Sequence, residues 1–156
     1  MTHILLRRTT PHQNAITGDG SAEMIDWNDV YEVSGNIQYD AATKKVRLLE
    51  NGLYLATMSL PYGNLNQNNT CGAGWFHGGV QPRHEPFIYN GNPFAERNPG
   101  GVPGGGSDII NCGRSHQFLV DIEADPFVWV MVKIGGNPTK NVTLLYDAFF
   151  AITKLG

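Results

Sequence analysis

Two stretches near the end of this chain are apolar at even and odd positions alike, and no other feature constrains the fold as strongly. The first runs Phe127-Val128-Trp129-Val130-Met131-Val132-Lys133-Ile134 behind Asp125-Pro126. The second runs from Leu144 to Leu155, with Phe149-Phe150-Ala151-Ile152 at its centre. Both have the length and the β-branched and aromatic content of strands. Side chains alternate across a strand, so Val128, Val130, Val132 and Ile134 share one face while Phe127, Trp129 and Met131 share the other. A sandwich strand needs only one apolar face. A second one calls for a cover, and a neighbouring copy of the chain is the simplest. The pattern predicts a β-protein that assembles.

At 156 residues the chain fits one domain, residues 1–156, able to bury a core without staples. Charged residues make up 16% and the net charge is −3, which excludes a nucleic-acid footprint. No apolar run is long enough for a helix to span a bilayer. The opening Met1-Thr2-His3-Ile4-Leu5-Leu6-Arg7-Arg8 places its charge after its apolar residues, the reverse of a secretory signal. Synthesis in the cytoplasm is expected. Cys71 and Cys112, each followed by glycine, could close one disulfide; two separate thiols is the commoner outcome in a reducing compartment. The sequons at Asn68 and Asn141 would matter only in a secreted chain.

No amphipathic helix is evident. Glycine (19) and proline (9) punctuate the sequence at short intervals, which predicts short antiparallel strands. These are expected near 3–9, 22–26, 30–39, 44–49, 52–60, 72–80, 86–90, 108–111, 115–123, 127–134 and 142–155. Gly18-Asp19-Gly20-Ser21, Asp40-Ala41-Ala42-Thr43 and Glu50-Asn51-Gly52 read as tight turns. Residues 62–107 read as long irregular loops, with Asn64-Leu65-Asn66-Gln67-Asn68-Asn69 and a Gly-rich run at 100–106.

Motifs for chemistry are scarce. Asp121, Glu123 and Asp125 repeat with period two, as calcium ligands on one strand face would, but Val120 and Ile122 alternate with them as in a strand entering a polar turn. His77, His84 and His116 lack zinc-ligand spacing. The Gly-rich run lacks the Lys-Ser/Thr of a phosphate-binding loop, and no nucleophile elbow is present. The sequence assigns no catalytic residue, no metal site and no cofactor. It predicts a protein that is not an enzyme.

Several motifs resemble one family. Glu50-Asn51-Gly52-Leu53-Tyr54-Leu55-Ala56-Thr57 looks like the glycine-hydrophobic-tyrosine-hydrophobic strand of the tumour necrosis factor and complement-q-head jelly roll. Ala148 to Leu155 resembles the last strand of that superfamily, and Ser115 to Ile134 its penultimate hairpin, with Asp125-Pro126 where a Gly-Asp is customary. The resemblance implies an all-β, two-sheet antiparallel jelly-roll sandwich of ten strands that forms a threefold-symmetric trimer. The strands at 52–60, 115–123 and 142–155 would then lie in an inner sheet on the axis. Tyr54, Ala56, Met58, Phe118, Val120, Ile122, Phe150 and Ile152 would face the intersheet core. Leu53, Leu55, Thr57, Gln117, Leu119, Phe149, Ala151 and Leu155 would face partner subunits.

The family analogy suggests a virion structural protein: a homotrimeric capsid decoration (cement) protein of a bacteriophage, located on the capsid surface. Its partners would be copies of itself and the major capsid protein, with neither nucleic acid nor membrane. The alternatives are a receptor-binding head of a tail fibre and a soluble binding module of the same superfamily. A secreted ligand is disfavoured by the missing signal, and a fibre tip by the short lead before the first good strand. Capsid docking is expected from an N-terminal arm, residues 1–13, through Ile4, Leu5, Leu6, Arg7 and Arg8, and from the loops at 62–107; Phe127, Trp129 and Met131 either lie under the arm or those loops or dock a different protein. The same arm reads equally as a first strand.

Overall fold

The computed structural model describes residues 1–11, 16–18, 20–65, 70–79, 108–135, 137–144 and 147–156. They form twelve strands: β1 (His3–Arg7), β2 (Ile16–Gly18), β3 (Ala22–Met24), β4 (Asp29–Ser34), β5 (Ile37–Asp40), β6 (Lys45–Leu48), β7 (Gly52–Leu65), β8 (Thr70–Gly78), β9 (Asp108–Val120), β10 (Phe127–Gly135), β11 (Asn137–Leu144) and β12 (Phe149–Lys154). No helix occurs among the described residues. Every strand pair is antiparallel, and the pairs fall into two sheets.

β7 organises the larger sheet. β9 pairs along one of its edges, while β12 and β11 share the other; β1 and β4 then follow beyond β12. β10 organises the smaller sheet, with β8 along one edge and β6 and β3 dividing the other, and β5 beyond β6. The expected two-sheet antiparallel jelly roll is what forms.

The core lies between the sheets. Ile4, Leu6, Tyr54, Ala56, Met58, Leu60, Phe118, Val120, Phe150 and Ile152 meet Val46, Leu48, Ala73, Trp75, Val128, Val130 and Val132, all buried. Phe150 sits at the centre, 5.8 Å from the Trp75 ring and stacked 6.3 Å from Trp27. The core-facing residues expected on β7, β9 and β12 are in place, and Ile122 packs partly buried against them.

Several expected strand limits move, each for a local reason. The run at 30–39 is cut in two at Gly35, whose φ of 75° reverses the chain and sends β4 and β5 to different sheets. A Cβ there would lie 2.5 Å from the Thr2 hydroxyl, so only glycine fits. The run at 142–155 is cut at Asp147, with φ 73°. Conversely, 108–111 and 115–123 join into β9, which ends at Val120 in a turn closed by Ala124 N–H and Asp125 N–H on the Asp121 carbonyl. Asp121, Glu123 and Asp125 are therefore on a turn rather than one strand face. Residues 62–65, read as loop, extend β7, while the strand expected near 72–80 forms as β8 at 70–78. The expected strand at 86–90 lies outside the described residues.

Residues 3–7 form the first strand, in register with β12 from His3 opposite Thr153 to Arg7 opposite Phe149. Ile4 and Leu6 are consequently buried, and His3, Leu5 and Arg7 reach the outer side. Arg8, expected on a docking arm, is buried as well. Its guanidinium donates to the carbonyls of Thr10 (3.2 Å), Pro11 (2.7 Å) and Asp26 (2.9 Å), and lies 3.4 Å from the Asp26 carboxylate. It staples the chain leaving β1 to the segment before β4. Arg8→Met would strand those carbonyls and is expected to cost about 2–3 kcal/mol. Urea unfolding checks this: a lower midpoint with unchanged slope is expected, and an unshifted midpoint would refute the staple.

Tyr54 closes the other end of the core. Its hydroxyl donates to the Glu50 carbonyl at 2.8 Å. Burial, reinforced by the nearby Glu50 carboxylate, pushes its pKa up to about 12. An unfolded tyrosine ionises near 10, so between pH 10 and 12 the unfolded chain releases a proton that the folded one keeps. Stability should be full below pH 10 and fall across that window. Tyr54→Phe should flatten the fall between pH 9 and pH 11 in urea titrations; an unchanged slope would contradict the assignment.

Candidate assembly face

The outer side of the larger sheet carries the expected interface residues, ordered by strand register into cross-strand rows. One row is Arg7, Phe149 and Ser59; the next is Leu5, Ala151, Thr57 and Ser115; the third is His3, Thr153, Leu55 and Gln117. Leu53 opposite Leu119 forms the last, and the Leu155 N–H bonds the Leu53 carbonyl at 2.7 Å. Leu53, Leu55, Thr57, Phe149 and Ala151 are half-buried, Gln117 is exposed, and Leu119 and Leu155 are 76% and 48% exposed. The strip down the middle is therefore apolar, and the opposite face of the same strands is the core. Thr57 and Ser115 satisfy each other's hydroxyls across β7 and β9, so the strip presents few unmet polar groups.

Charge gathers on the β4 side. Arg7 Nε donates to Asp29 Oδ2 at 2.7 Å, Nη2 lies 2.6 Å from the same oxygen, and the guanidinium carbon sits 3.9 Å over the Tyr31 ring. His3 Nδ1 lies 2.7 Å from the Thr153 hydroxyl, with Nε2 3.8 Å from Glu32. β4 is the edge strand of the described sheet; Tyr31 is exposed on the same side as Arg7, whereas Val30 and Val33, opposite Leu6 and Ile4 in register, are exposed on the other side. Among the described residues no strand pairs with the outer edge of β4, and an open edge with an exposed aromatic beside an apolar strip is a surface suited to pairing.

The face with Phe127, Trp129 and Met131 is different. These residues point outward from the smaller sheet, as alternation requires, but Trp129 is only 5% exposed. It stacks on Phe76, its neighbour across β8 and β10, at 5.7 Å, and Lys45 Nζ lies 4.1 Å from its ring centroid. The sheet's own neighbouring strands contribute much of that cover. Phe127 and Met131 are half-buried.

Among the described residues no group of three His, Cys, Asp or Glu side chains converges as a metal site would require. His77 is buried, with Nε2 2.8 Å from the Asp125 carbonyl. His116 tilts against Trp75 at 6.5 Å. His84 lies outside the described residues. Cys71 and Cys112 sit on strands of different sheets, opposite Ile134 and Leu60 in register, and their side chains lie outside the description.

No family model and no curated protein matches the sequence. Solved structures do. Crystal structures of murine APRIL superpose with TM-scores of 0.62 and 0.58, at 13% and 16% identity, over 98% or more of both chains. The Eiger TNF from S. frugiperda superposes with a TM-score of 0.56 at 10% identity, over 99% of this chain and 92% of that one. At such identities the likeness concerns the fold alone. The chain has a tumour necrosis factor-like jelly-roll fold.

Proposed function

We propose that this protein is a non-catalytic binding module that works as a homotrimer, joined through the outer side of its larger sheet. One observation carries the reading: β7 and β12 are apolar on both faces, with the core behind and Leu53, Leu55, Phe149 and Ala151 in front. Covering that strip by a second copy removes apolar area from water at roughly 25 cal/mol per Å². Phe149 at the centre is the kind of aromatic anchor that dominates interface energies, with Arg7 and Tyr31 at the rim.

Capsid decoration is the setting proposed for the trimer, with the major capsid protein as partner. Its support is compositional: a low charge content and loops rich in Asn and Gly, without catalytic motifs. Fibre-tip and free soluble modules would share the trimer and differ in the partner. Readdition to particles stripped of this protein tests the setting. Trimers that rebind at threefold positions of the shell support decoration; trimers that leave the shell bare refute it while leaving the trimer intact.

A further inference from the structure

A second surface lies on the opposite side of the sandwich from the assembly face. The outward side chains of β5, β6 and β10 line a cleft of about 500 Å³ that includes Gln38, Asp40, Thr43, Lys45, Arg47 and Phe127. Register builds it: Gln38, Arg47 and Phe127 form one cross-strand row, and Asp40 lies opposite Lys45 in the next. The turn at Asp40 borders it; the Asp40 carbonyl accepts from Lys44 N–H at 2.8 Å and its Oδ1 accepts from Ala42 N–H at 2.9 Å.

We infer that this cleft binds a carboxylated saccharide, with Arg47 holding the carboxylate and Phe127 the sugar face. The charges favour an anion. One of the two Asp40 carboxylate oxygens is engaged in the turn, and Lys45 lies over the rings of Trp129 and Phe127 at 4.1 and 5.8 Å. Arg47 is exposed and makes no ion pair with the described carboxylates. A planar guanidinium matches a carboxylate in two parallel hydrogen bonds.

The remaining lining selects the rest of the ligand. Gln38 offers both a donor and an acceptor, Thr43 a hydroxyl and Asp40 an acceptor, which together suit vicinal hydroxyls. Phe127 supplies one apolar face for ring C–H groups. An acidic peptide would bring further carboxylates against Asp40, and a flat aromatic ligand would leave the polar lining unpaired. The cleft is open, so single-site affinity should be weak, in about the millimolar range. Three copies on the proposed trimer would add avidity, but the inference itself does not depend on the trimer.

Titration of the full chain by NMR with sialyllactose, a galacturonic acid trimer, neutral lactose and an acidic tetrapeptide tests it. At least one acidic sugar should shift resonances of β5, β6 and Phe127, with lactose and the peptide binding at least about tenfold more weakly. Arg47→Ala should weaken the sugar about tenfold, whereas Lys133→Ala, an exposed cation elsewhere on the same sheet, should not. Equal binding of lactose or the peptide, no binding of either acidic sugar, or an Arg47→Ala variant that binds as well as the original would overturn the proposal.

Discussion

Phe149→Asp is expected to convert the proposed trimer into a folded monomer. Phe149 is half-buried in the single chain, between Arg7 and Ser59 on the outer side of β12. In the monomer, aspartate at this position stays wet and should cost no more than about 1 kcal/mol. At the proposed interface it would be desolvated with no partner for its charge, at a cost of several kcal/mol in each subunit. That is enough to lower association by orders of magnitude. Far-UV circular dichroism and the urea midpoint should remain close to those of the dissociated wild type, while the mass in solution falls to that of one chain. A variant that stays trimeric would place the interface elsewhere.

The neighbouring residue should behave in the opposite way. Phe150 is fully buried, between Trp27 and Trp75 at the centre of the core. Phe150→Ala would leave a cavity bounded by two tryptophans that cannot collapse into it, and the expected loss is about 3–5 kcal/mol. A domain of this size has about 5–15 kcal/mol to lose. Chemical denaturation should show a much lower midpoint with its slope unchanged, and the folded fraction should still assemble. A loss below about 1 kcal/mol would mean that the core is not organised around this ring.

The contrast between these two adjacent phenylalanines was legible in the sequence, because alternation along a strand fixes faces once the strand is recognised. The same rule placed Tyr54, Ala56 and Met58 inward and Leu53, Leu55 and Thr57 outward. It had nothing to say about Ile4-Leu5-Leu6, where three apolar residues in a row fit either parity. Pairing with β12 and β4 decides that Ile4 and Leu6 go inward. Arg8 was illegible for a different reason: its partners are mainly backbone carbonyls, which leave no trace in side-chain pattern. Phe76 and Lys45 contribute to the cover over Trp129, and their contacts depend on the pairing of β10 with its neighbours, which a single sequence does not reveal. The cleft beside Arg47 is illegible in the sequence for the same reason, since Gln38, Arg47 and Phe127 meet only once β5, β6 and β10 are in register.

Light scattering coupled to size exclusion, run on the full chain across a concentration series, tests the central claim most directly. The chain mass is 17.1 kDa. The account predicts a particle of about 51 kDa, three times 17.1 kDa, that Phe149→Asp reduces to a single chain. A wild-type protein that stays at 17.1 kDa at every concentration would contradict it.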